Sequence, residues 1–116
     1  MESILTSIKK LLGIAEDYKH FDSDIIMHIN TVFLTLNQIG VGPEEVPHIS
    51  SALDTWNNIF GDVEKLGAIK TYVYLKVRML FDPPSSPSVL ESMNRQAQEI
   101  EWRLNIEAEN NKQKEV

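Results

Sequence analysis

Histidines are the first side chains to consider for catalysis or metal binding in this sequence. His20, His28 and His48 lack the i, i+4 spacing that places two imidazoles on one face of a helix. His28 lies on the polar side of a predicted helix, and the sequence supplies no oriented partner that would make it a general base. We therefore interpret all three histidines as structural residues.

The carboxylates and hydroxyls give no stronger indication of catalysis than the histidines do. Glu44 and Glu45 are adjacent in a proline-bounded loop, and Glu99 and Glu101 point to different faces of a predicted helix. Serines in predicted turns and caps, outside any nucleophile-elbow pattern, are Ser50, Ser51, Ser85, Ser86 and Ser88. The absence of cysteine excludes disulfides, thiolate zinc sites and cysteine nucleophiles. The sequence thus predicts a non-enzymatic protein without catalytic residues, metal or cofactor.

Length and composition indicate one soluble globular domain. The chain has 116 residues, of which 42% are hydrophobic and 24% are charged. Its net charge of −6 argues against a surface that grips nucleic acid, because such surfaces need clustered lysine and arginine. No apolar run is long enough for a membrane span, and the N-terminus lacks a signal-peptide pattern. We expect no membrane association.

The elements that would position any site are helices. Apolar residues recur at helical spacing over 3–12, 24–39, 63–81 and 88–108, and more weakly over 48–60, where Trp56 is expected to be buried. Asp22 or Ser23 is the expected N-cap of the second helix, and Gly13 is the expected stop of the first. No strand pattern competes. The sequence predicts an all-α bundle of about four to five helices over 1–108 and a flexible polar tail over 109–116.

The predicted helix over 66–81 is apolar around most of its circumference. Its two apolar stripes are Leu66, Ile69, Val73, Val77 and Leu80, and Ala68, Tyr72, Leu75 and Met79. A helix of this kind lies either inside its own core or between that core and a neighbouring subunit. The candidate subunit-interface residues are Tyr72, Leu75, Lys76 and Met79. Lys76 has two interpretations: a snorkelling side chain in a monomer, or a salt bridge to an adjacent subunit.

Trp102 and Ile106 lie away from the predicted inner seam of the last helix. That seam consists of Leu90, Met93, Ala97, Ile100 and Leu104. Trp102 and Ile106 either cover a loop of the same chain or form an interface with another subunit. The sequence leaves both interpretations open.

Three stretches of the sequence carry a family resemblance. They are SIKKLLGIAEDYKHFDSDIIMHIN, KTYVYLKVRMLFDPP and SPSVLESMNRQAQEIEWRLNI. Together they resemble the head–tail connector (adaptor) proteins of long-tailed bacteriophages over nearly the whole chain. The segments LLGI, LFDPP and EWRLNI contribute most, and 41–64 contributes least.

The resemblance implies a structural subunit of the virion neck, assembled in the host bacterial cytoplasm. It implies a homo-oligomeric ring, usually of about twelve copies, that binds the portal and a tail-side connector or stopper protein and lines part of the DNA channel. The C-terminal segment docks on the portal in such proteins. This makes Trp102, Ile106 and Val116 the portal-docking candidates. The alternative is a cytosolic helical module that binds or regulates another protein.

Overall fold

The computed structural model describes residues 2–61 and 64–114, with side chains through residue 111. Its helices are α1 (Ile4–Leu11), α2 (Asp22–Gln38), α3 (Trp56–Phe60), α4 (Leu66–Phe81) and α5 (Pro87–Lys114). The described residues form no sheet; an isolated antiparallel bridge joins Ser3 to Thr55. The all-α prediction is therefore confirmed.

The central helix α4 packs against α2 and α5, and α1 packs against α2. The core draws on every helix and on the connection between α2 and α3. Its largest fully buried side chains include Trp56, Tyr72, Phe33, Ile4, Ile8, Ile25, Ile29 and Ile49. Each helix therefore contributes an apolar face to one shared core, which small domains need in order to bury enough surface.

Several helix ends differ from the sequence prediction. α2 starts at Asp22 after Phe21, which provides no side-chain cap, so the expected capping role of Asp22 or Ser23 is wrong. α4 starts at Leu66 rather than near residue 63, and residues 62–63 lie outside the described ranges. α5 starts at Pro87, whose fixed φ suits a first helical position, and continues to Lys114 rather than ending near 108. The predicted tail is thus helical over 109–114.

Two glycines end helices as their positions predict. Gly13 (φ 80°) follows α1, and Gly40 (φ 89°) follows α2. Both adopt left-handed backbone conformations that other residues rarely adopt. At Gly40 an added Cβ would also come within 3.2 Å of the Ala108 Cβ on α5. The turn after α2 therefore permits the close approach of α5.

The weakly predicted region before α4 is mostly an extended connection. Its segment near Ile49 is fixed to α2 by one side-chain amide: Ile49 N–H donates to Asn30 Oδ1 (2.8 Å), and Asn30 Nδ2 donates to Ile49 O (3.0 Å). The short helix α3 then buries Trp56, whose indole N–H donates to Ser7 Oγ (2.9 Å). The prediction that this region buries Trp56 is confirmed.

A buried lysine fixes the connection between α1 and α2. The Lys9 ammonium donates to the backbone oxygens of Glu16 (3.0 Å) and Tyr18 (2.7 Å) and lies 2.8 Å from Asp22 Oδ1. Asp22 Oδ1 is itself buried and accepts no well-aligned hydrogen bond, so this ammonium compensates its charge. One side chain therefore ties α1, the connection and α2 together.

Replacement of this lysine should destabilise the fold. We expect Lys9→Met to lower the free energy of unfolding by about 2–3 kcal/mol, because it leaves two carbonyls and a partly buried carboxylate without their donor. Urea unfolding followed by circular dichroism measures the change. The matched control is Lys10→Met at the neighbouring exposed position, where we expect a change within about 0.5 kcal/mol. Equal effects of the two substitutions would contradict this role for Lys9.

Candidate interface surfaces

The polar residues considered for catalysis do not converge. His20 and His48 are exposed, and His28 is half-buried with its ring 6.3 Å from that of Phe81. In residues 2–61 and 64–114, no three His, Cys, Asp or Glu side chains are placed to hold a metal ion. The candidate functional features of the described surface are therefore its apolar and charged patches.

Most of the apolar surface of α4 is covered by its own chain. Buried side chains come from both predicted stripes: Ile69, Val73 and Val77 from one, Tyr72 and Leu75 from the other. Two flanking helices cover two sides of α4, so its unusual apolar circumference reflects a central position in the bundle. Of the two positions that the sequence left open for this helix, the structure therefore shows the first, inside its own core, for most of the apolar surface.

This packing buries two of the predicted interface residues, Tyr72 and Leu75. Tyr72 is 0% and Leu75 is 4% exposed, so in this conformation they offer almost no surface to a second subunit. Tyr72 O–H donates to Glu101 Oε2 on α5 (2.8 Å). Burial, the hydrogen bond to Glu101 and the negative charge of that carboxylate raise the pKa of Tyr72 above its ordinary value. Tyr72 thus joins α4 to α5 within one chain.

Lys76 and Met79 keep part of their surface exposed to solvent. Both are half-buried, and Leu80, one helical turn beyond Lys76, is 50% exposed. Lys76 forms no ion pair with any residue in the described ranges, whereas the neighbouring Arg78 lies 3.9 Å from Asp82. The prediction that Lys76 and Met79 contact a neighbouring subunit stays a prediction.

The outer face of α5 carries an uncovered tryptophan. Trp102 is 63% exposed, and Ile106, one turn later, is half-buried. An exposed ion pair between Arg103 and Glu99 (2.9 Å) lies on the same helix. No loop in the described part of the chain covers Trp102, and the interpretation that it contacts another molecule stays a prediction. Val116, the third portal-docking candidate, lies outside the described residues.

Sequence reasoning missed an apolar groove on the outer side of α2. Its volume is about 650 Å³, and it is lined by Ser23, Ile26, Met27, Asn30, Thr31, Leu34, Val46, Pro47 and His48. Met27 is 56% exposed, and Leu34 and Val46 are each 45% exposed. One feature of the sequence could have indicated this groove: α2 has no charged residue after Asp24.

These features define a small helical protein whose described surface carries several exposed apolar patches. No helix in the described ranges is both long and apolar enough to cross a membrane. The model of the phage connector protein family matches residues 4–111, and the chain belongs to that family. No significant match was found among curated proteins or among solved structures. The predicted resemblance is thus confirmed, and it assigns the chain to a family of structural proteins.

The Tyr72–Glu101 contact predicts a specific pH dependence of stability. Because the folded-state pKa of Tyr72 is raised, its contribution is fully present below the unfolded-state pKa of about 10 and is lost as pH rises above it. We expect Tyr72→Phe to lower the free energy of unfolding by about 1 kcal/mol at pH 7. Above pH 10 the wild type should lose stability more steeply than Tyr72→Phe.

Denaturant unfolding at pH 7 to 11 measures both effects. Tyr74→Phe is the matched control on the same helix, at a half-buried tyrosine that forms no hydrogen bond among the described residues. It should shift stability at pH 7 by less than about 0.5 kcal/mol. Parallel pH profiles for the wild type and Tyr72→Phe would show that the Tyr72 hydroxyl does not contribute in this way.

Proposed function

We propose that this phage connector protein is a neck subunit that forms a ring, joins the portal to the tail-side neck proteins and lines part of the DNA channel. The observation that carries the proposal is the family match over residues 4–111. Within that family role, the chain acts through surfaces rather than through an active site. It is proposed to work in the virion, between capsid and tail.

The distribution of exposed apolar side chains supports a subunit with several neighbours. Such side chains include those at three separate places: the α2 groove, the start of α5 at Val89 and Leu90, and the outer face of α5 at Trp102. A closed ring requires two different surfaces on every subunit, because each copy contacts one neighbour on either side. A further surface remains for the portal or the tail-side protein.

The charge of the chain is compatible with a DNA conduit. Its net charge is −6, and strongly basic surfaces hold DNA through counterion release. A negatively charged ring would let DNA pass without retaining it. This argument supports transient, non-specific passage and assigns no DNA-binding residue.

Trp102 is the best candidate for portal docking. A tryptophan 63% exposed to solvent presents a large apolar area, and tryptophan is enriched among residues that dominate binding energy. Ile106 extends the same side of α5 by one turn, and Val116 is proposed to contribute from the end of the chain. We propose that this end of α5 contacts the portal ring.

Two measurements test the role in the neck. The first is co-purification of the chain with its cognate portal, followed by electron microscopy of the assembled particle. The second is its presence in virions, tested by mass spectrometry of purified particles. Absence from virions together with a lack of portal binding would overturn the proposed function.

Substitution of the exposed tryptophan tests the docking surface. We expect Trp102→Ala to weaken portal binding by about 10- to 100-fold, because a hot-spot tryptophan contributes roughly 2 kcal/mol or more. Biolayer interferometry with immobilised portal measures the affinity. The matched control is Tyr18→Ala, which removes a 48% exposed aromatic side chain from the connection between α1 and α2. Unchanged affinity of Trp102→Ala, or an equal loss for Tyr18→Ala, would contradict this assignment.

A further inference from the structure

The outer face of α2 is uncharged to an unusual extent for an exposed helix. Between Asp24 and Glu44 the sequence contains no Asp, Glu, Lys or Arg. A helix on the surface of a globular protein normally carries charged residues on its solvent side, as α5 does. On α2 the solvent side instead presents Met27, Thr31 and Leu34. This composition favours a face that is covered in the functional state.

The groove along this face is held in shape within the single chain. One wall is α2, and the other is the segment around Val46 and Pro47. The paired hydrogen bonds between Asn30 and the backbone of Ile49 fix that second wall to the helix. A preformed groove loses less conformational freedom on binding than one that must be assembled, which favours affinity.

The residue types in the groove match the centre of a protein interface. Interface centres are depleted in charge and enriched in methionine, whose flexible side chain adapts to a partner. Met27 is 56% exposed, and Leu34 and Val46 are each 45% exposed. Isolated exposed apolar residues are common, but three lining one groove form a patch.

Charge indicates what kind of surface would cover the groove. From His20 to Glu64 the chain has no lysine or arginine, while Asp24 precedes the uncharged stretch and Glu44 and Glu45 follow it. The preferred partner surface is therefore apolar with a positive charge. A surface of this kind exists on the chain itself, on another helix.

That surface is the strip formed by Lys76 and Leu80 on α4. The two residues are one helical turn apart, Leu80 is 50% exposed, and Lys76 has no ion-pair partner among the described residues. Val89 and Leu90 are also exposed at the start of α5, just after the turn that follows α4. The strip thus combines apolar area with an available cation.

We propose that the α2 groove binds the Lys76–Leu80 strip of a second copy of this chain. The contact joins two different surfaces, so each subunit keeps one free groove and one free strip for further copies. Repetition of the contact closes into a ring when the rotation between subunits permits it. The choice of a second copy rests on the proposed function, since only a ring-forming protein requires this contact.

Glutamate substitutions in the groove test its role. We expect Met27→Glu combined with Leu34→Glu to raise the concentration needed for self-assembly, alone or on the portal, by at least about 100-fold, because the contact would bury two carboxylates and the single Lys76 of the second copy can pair with only one of them. Glutamate is a good helix former, and both positions are substantially exposed, so the fold should persist. Circular dichroism and thermal melting check that the variant is folded.

A matched control separates the groove from a general charge effect. Leu11→Glu combined with Leu53→Glu adds the same charge at positions 52% and 86% exposed on other elements. Native mass spectrometry and light scattering after gel filtration should show wild-type assembly for this control. Wild-type assembly of the groove variant, or loss of assembly in the control, would overturn the inference.

A mixing experiment tests the pairing of the two surfaces. A second variant, Lys76→Glu with Leu80→Glu, alters the strip and leaves the groove intact. Under conditions in which the wild type assembles, each variant alone should remain monomeric, whereas an equimolar mixture should give a heterodimer that cannot extend. A mixture that stays monomeric would show that the groove and the strip do not contact each other.

The remaining outcomes distinguish this inference from the proposed function. If the groove variant still forms rings but no longer binds the portal, the groove binds the portal and the inference is wrong, while the connector role stands. If the wild type neither self-associates nor assembles on the portal, the proposed ring and the inference are both overturned. Ring assembly that the groove substitutions do not change would overturn the inference and leave the proposed function standing.

Discussion

The position of α4 between α2 and α5 is the constraint on which the rest of the structure depends. A helix that is apolar around most of its circumference is stable in water only when its neighbours cover it from more than one side. The two flanking helices provide this cover, and Tyr72 becomes fully buried with its hydroxyl bonded to Glu101. Consequently the outward faces of α2 and α5, with the partly exposed positions Lys76 and Leu80 on α4, are the surfaces proposed to contact other molecules.

The helices themselves were predictable because their stabilisation is largely local and periodic. Apolar residues three or four positions apart located α1, α2 and α4, and Gly13 marked the first helix end. The end of α5 was missed, since a polar composition does not exclude helix. The role of Lys9 was missed for a different reason. A lysine near a helix C-terminus ordinarily faces water, and its carbonyl and carboxylate partners are known only once the chain has folded back.

The candidate site was predicted in part. The family was predicted from the sequence. The position of Trp102 off the inner seam of a strongly periodic helix was also predicted, but whether a loop covers it was left open, and the structure shows it 63% exposed. Tyr72 and Leu75 show the limit of sequence reasoning. Periodicity identifies an apolar stripe on a helix, but it does not show whether the same chain or another chain covers that stripe. The α2 groove was missed because one of its two walls, at Val46 and Pro47, comes from a segment without periodicity.

The Asn30–Ile49 contact makes the outer wall of the groove depend on one carboxamide. Its oxygen and nitrogen bind both polar groups of the Ile49 backbone, as an adjacent β-strand would. Hydrolysis of an asparagine side chain replaces the donor nitrogen by a second acceptor oxygen. At Asn30 this spontaneous reaction would place a carboxylate oxygen against the Ile49 carbonyl oxygen. Their repulsion would weaken the attachment of the Val46–Pro47 wall to α2. Because Asn30 is only half-buried and lines the open groove, water reaches this carboxamide, and the lifetime of the groove depends on how slowly that reaction proceeds.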